Sequence, residues 1–123
     1  MKHHIIVKFN KDAPALEEML PDIEKIFEGV LEVPGVNSYN LVLNCIDRSN
    51  RYNLMIVIDM EKPALEAYDN CHAHHMWKDN YSKFIESKAI FDSEENYFFV
   101  RIFIALCHLS PDWNQCFFYI FGC

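Results

Sequence analysis

The chain has 123 residues, 51% of them hydrophobic and 24% charged, with a formal net charge of −7. Those values describe one globular domain able to bury a core without disulfide staples, and they exclude a disordered chain. The acidic balance, with no basic run or stripe, argues against nucleic acid and against an anionic membrane as partners.

Residues 2–9 alternate as a strand, with His3, Ile5, Val7 and Phe9 on one face and His4, Ile6 and Lys8 on the other. Only three aliphatic residues are consecutive there, too few for the apolar region of a secretory signal. Asp12 is placed to cap a helix with Pro14 in its first turn. Leu16, Leu20, Ile23, Phe27 and Val30 then recur at helical spacing to about residue 32. Pro21 predicts a kink or a restart within that helix, and Pro34-Gly35 predicts its end.

A second strand is predicted over residues 36–44, a polar turn at Asp47-Arg48-Ser49-Asn50, and a third strand over residues 52–60. Pro63 opens a short helix through Tyr68, and a second helical segment over 73–87 uses Trp77, Tyr81, Phe84 and Ile85. A fourth strand follows at about residues 88–93. The order is βαββαβ, an α+β, ferredoxin-like arrangement with a four-stranded antiparallel sheet and helices on one face. The third strand contains the unbroken apolar run Leu54 to Ile58, so both of its faces are apolar. Helices cover one face, and the other needs a cover of its own, for which a second copy of the chain is the economical candidate. A homodimer is therefore expected.

Residues 1–96 form the expected domain. Residues 97–123 differ in kind: they hold nine aromatic residues and three of the five cysteines, with only Arg101 and Asp112 charged. This aromatic-rich tail reads either as an added strand or as a segment foreign to the domain, and its apolar part is too short and interrupted to span a bilayer. The cysteines are odd in number and lack a C-x-x-C pair, which fits reduced thiols in a cytoplasm.

Five of the six histidines fall in two stretches, His3-His4 and His72 to His75. These are the groups that titrate near neutral pH, so a fold that joins the stretches creates a wall with acid and base capacity. Cys71 with His75, or His72 with His75, has the spacing to share a metal ion on one helix. No carboxylate or distant cysteine clearly completes a tetrahedral set, except His3 or His4, and no metal site is assigned. Nothing matches a P-loop, a dinucleotide fingerprint or a serine triad, and no cofactor is expected.

Several short stretches fall in a familiar order: Lys2-His3 with its aliphatic strand, Val33-Pro34-Gly35-Val36, Tyr52, Ala64-Leu65-Glu66-Ala67-Tyr68, His74 and Phe91-Asp92. In these the chain up to about residue 95 resembles the stress-responsive A/B barrel, or Dabb, family. The resemblance implies a homodimeric α/β barrel with a ligand pocket between the sheet and the helices of each subunit. A plant member cyclises a polyketide with a histidine and a tyrosine, and the matching positions are His74 and Tyr68. They become the expected catalytic residues, His74 as base and Tyr68 as acid or orienting group. His3 matches a further pocket histidine, and Cys71 and Trp77 are expected to line the same pocket.

The chain departs from the pattern where Cys71 and His72 replace the first histidine and the proline of the family's His-Pro-x-His motif. It departs again where Leu54 stands for a third-strand histidine. The resemblance thus implies a small apolar or carbonyl-bearing ligand and cofactor-free proton transfer. A non-enzymatic ligand-binding or stress-associated dimer is the alternative, and a metal-dependent enzyme a third reading.

Overall fold

The computed structural model describes residues 1–94. The domain boundary expected at residue 96 and the tail 97–123 lie outside the described residues. Strand β1 (Lys2–Phe9) is followed by helix α1 (Leu16–Glu28), then by β2 (Val36–Leu43) and β3 (Leu54–Met60). Two short helices, α2 (Leu65–Asp69) and α3 (His72–Tyr81), lead into β4 (Ile85–Ser93). All strand pairs are antiparallel, in the order β2-β3-β1-β4, so β1 and β3 are central.

The sheet is open. β2 and β4 are its edges, and the barrel expected from the resemblance is absent: four strands fall well short of the number at which a sheet closes around a packed interior. The ferredoxin-like order itself is as read from the sequence.

Ile5 and Val7 of β1 and Leu54, Ile56, Ile58 and Met60 of β3 are buried on the sheet face that the helices cover. Met19, Ile23, Ile26 and Phe27 of α1 meet them. Each such aliphatic side chain stabilises the fold by about 1.5–3 kcal/mol. This shared burial explains why α1 runs through Pro21 as one element. Apolar contacts on both sides of the proline outweigh the single backbone bond it removes. Asp12 is not the cap: α1 begins at Leu16, and the Asp12 N–H donates to Asn10 Oδ1 at 3.0 Å.

The helix expected to reach residue 87 stops at Tyr81, and a 3₁₀ turn (Ser82–Phe84) delivers the chain to β4 at Ile85. Pairing outweighs helical periodicity here, because Ile85 lies opposite Phe9 and the Asn10 N–H donates to the Phe84 carbonyl at 2.8 Å. Gly35 carries φ of +92°, and a Cβ there would stand 2.9 Å from Ala64 Cβ, so the α1-to-β2 turn requires glycine.

The second sheet face carries His4, Ile6 and Lys8 with Val42, Met55, Val57 and Phe91. Phe91 is 61% exposed and Val42 37%. Among the described residues no helix is long and apolar enough to cross a membrane.

Candidate functional site

β1 and β4 pair so that His3 lies directly across from Asp92. His3 is buried, and its Nδ1–H donates to Asp92 Oδ1 at 2.5 Å, while the Asp92 side chain remains 41% exposed. With Nδ1 as donor, neutral His3 keeps Nε2 as an acceptor. His4 points to the opposite face and donates through Nδ1 to the Phe91 carbonyl at 2.9 Å.

The second histidine is placed by the break between α2 and α3. Asn70 ends α2, its side-chain amide donating to the Glu66 carbonyl at 2.9 Å. Cys71 is then the N-cap of α3, and its Sγ accepts the His74 backbone N–H at 3.4 Å. The break frees the Asp69 carbonyl, which accepts from His74 Nδ1–H at 2.7 Å. In the neutral ring that bond selects the tautomer with Nε2 unprotonated, an acceptor.

The two imidazoles flank Tyr68, whose ring centroid lies 5.4 Å from His3 and 4.9 Å from His74. Tyr68 is fully buried, and its hydroxyl has no hydrogen-bond partner among the described residues. Burial is the main cause that raises its pKa above the ordinary phenol value, with smaller contributions from Cys71 and Asp69. The group therefore stays protonated near neutral pH.

A cavity of about 320 Å³ opens between the sheet and α3. β1 supplies His3 and Ile5 to its wall; β4 supplies Lys88, Ile90 and Asp92; α2 supplies Leu65 and Asp69; and α3 supplies His74, Trp77 and Lys78. Three of the five expected site residues, His3, His74 and Trp77, thus share one wall. Tyr68 sits behind that wall with its hydroxyl closed off. Cys71 lines a different, larger cavity of about 590 Å³ between α1 and α3, together with His72, Ile26, Gly29 and Met76. Among the described residues no three His, Cys, Asp or Glu side chains converge on a metal position, so the Cys71, His72 and His75 spacings gain no further ligand.

Asp92 and Asp69 are the site residues that sequence reasoning missed. Asp92 stood in the Phe91-Asp92 pair, but its partnership with His3 depends on a strand register spanning 89 residues. The Asp69 carbonyl acts through the backbone, which no residue type discloses.

No family model matches the sequence, and no curated protein matches it. Solved structures do. A dimeric ferredoxin-like protein of unknown function from Thermobifida fusca has a TM-score of 0.62 at 11% identity, over 73% of this chain and 85% of that one. A Dabb family protein with a ferredoxin-like fold from Mesorhizobium loti scores 0.59 at 13% identity, over 77% of this chain and 95% of the other. A hydroxynitrile lyase from Passiflora edulis scores 0.62 at 7% identity, covering 78% and 93% respectively. Identities this low carry the fold and nothing finer: the chain has the ferredoxin-like fold of these proteins.

Proposed function

We propose that this chain is a Dabb-type homodimeric protein of the cytoplasm whose cavity between the sheet and α3 holds a small, partly apolar, carbonyl-bearing molecule. The observation that carries the reading is the pair of buried or half-buried imidazoles on one cavity wall. Each is fixed through Nδ1, by Asp92 and by the Asp69 carbonyl, so that Nε2 remains an acceptor. A carbonyl compound bound there would have a proton beside its carbonyl within the reach of a base. His74 is the base in this reading, His3 a second polar contact, Trp77 the apolar floor, and Cys71 a supporting residue at the helix start. Tyr68 is the acid or orienting group. Its contacts to both rings favour orientation, since its hydroxyl is shut away from the cavity.

The homodimer is supported by the partly exposed apolar face of Ile6, Val42, Met55, Val57 and Phe91. It is supported also by the description of solved structures of this fold as dimeric. Cys45 and Cys71, both free thiols, fit a reducing compartment. The second reading is a binding protein without turnover, which the closed Tyr68 hydroxyl favours. Native mass spectrometry of the full chain, purified without a metal column, tests both. A dimer retaining a small organic mass is expected, and a monomer without any added mass contradicts the proposal. Turnover that His74→Ala abolishes separates the enzyme from the binding protein.

A further inference from the structure

We infer that the cavity selects carbonyl compounds bearing a carboxylate at the far side of an apolar middle, held by Lys78 and Lys88. This inference rests on the reading of that cavity as a ligand site. α3 and β4 are joined by the three-residue turn Ser82–Phe84, so the two elements run back on each other. His74 lies near the start of α3, and Lys78 follows one helical turn later, roughly 6 Å along the axis. On the helix-facing side of β4, Lys88 and Asp92 are separated by four residues, about 13 Å of extended chain. The same cavity therefore has two chemically different ends. Asp69 and Asp92 stand with the imidazoles at one, and Lys78 and Lys88 stand at the other. Ile5, Ile90, Leu65 and Trp77 contribute the apolar surface of the wall.

The side-chain ammonium groups of Lys78 and Lys88 make no hydrogen bond or ion pair among the described residues, whereas Lys8 pairs with Glu86 at 3.5 Å. A lysine on an edge strand commonly serves to discourage strand addition. That role does not require Lys88 to line a cavity, nor a second lysine to face it from the helix. A carboxylate at the histidine end would meet two aspartates, so charge fixes the orientation: carbonyl toward the imidazoles, anion toward the lysines.

The probe pair 4-acetylbenzoate and its methyl ester shares a ketone and an aromatic middle and differs in the anion alone. Calorimetric titration of the full chain is expected to show the acid binding about fivefold tighter than the ester at low salt, as partly exposed ion pairs allow. The preference of acid over ester should disappear in molar salt and in the Lys78→Ala/Lys88→Ala double variant. Equal affinity of acid and ester for the wild-type protein would overturn the inference and leave the ligand site standing. A preference that survives in the double variant would overturn the lysine assignment. Binding of neither probe would contradict the ligand-site reading itself, and this inference with it.

Discussion

Two buried tyrosines, Tyr68 in α2 and Tyr81 at the end of α3, meet opposite fates in the same helical layer. The Tyr81 hydroxyl donates to Asp22 Oδ2 at 2.6 Å and ties α3 to α1. The Tyr68 hydroxyl, more deeply buried, has no partner among the described residues and lies in a ring cluster with His3 and His74. Leaving a buried hydroxyl unpaired costs about 1–3 kcal/mol, whereas a phenylalanine would fill the space without that cost. Tyr81 is explained by stability alone. Tyr68 is not, which accords with the ligand site proposed around it.

Trp77 lies between the two regions, packing edge-on against Phe27 at 5.4 Å and stacking on Tyr81 at 5.1 Å while its other side faces the cavity. Trp77→Ala should therefore damage both, with a loss of about 3–5 kcal/mol in chemical denaturation. Tyr81→Phe should cost about 1 kcal/mol, at the low end for a bond to a carboxylate because Asp22 is exposed. Tyr68→Phe should be neutral or stabilising by up to about 1 kcal/mol. A larger loss in Tyr68→Phe than in Tyr81→Phe would break the comparison.

The alkaline limb of stability sharpens it. Burial raises the pKa of both phenols, with the Asp22 bond as a further cause for Tyr81. Below the unfolded value of about 10 each phenol is protonated in both states, and its contribution is fully present. As the pH rises further the unfolded chain releases these protons while the folded chain keeps them. Stability therefore declines toward and through the folded values. Denaturant midpoints followed upward from pH 9 should fall, and each Tyr→Phe variant should flatten that fall. An unchanged slope in Tyr68→Phe would contradict the burial of its hydroxyl.

The same contrast marks what was legible in the sequence. The alternation of residues 2–9 placed His3 and His4 on opposite faces, and the run from Leu54 to Ile58 marked both faces of β3 as apolar, because side-chain period and burial are local signals. The gap between the two short helices was visible in the spacing from Pro63 to Trp77. The end of α3 was not, since Phe84 and Ile85 keep helical spacing and are claimed instead by pairing with β1. The open sheet corrected an expectation drawn from resemblance alone. At the site, His3 and His74 were named by resemblance, but what sets their tautomers, Asp92 across the sheet and the Asp69 carbonyl, depends on register and backbone geometry.

The most direct test of the central claim, that His3 and His74 form one ligand-binding wall, is nitrogen NMR of the histidine rings during titration with 4-acetylbenzoate methyl ester. The structure predicts that free His74 shows Nδ1 protonated and Nε2 as acceptor, and that the probe shifts the Nε2 resonances of His3 and His74 while leaving His4 in place. Unmoved His3 and His74 resonances at saturating probe, or a His74 ring protonated on Nε2, would contradict it.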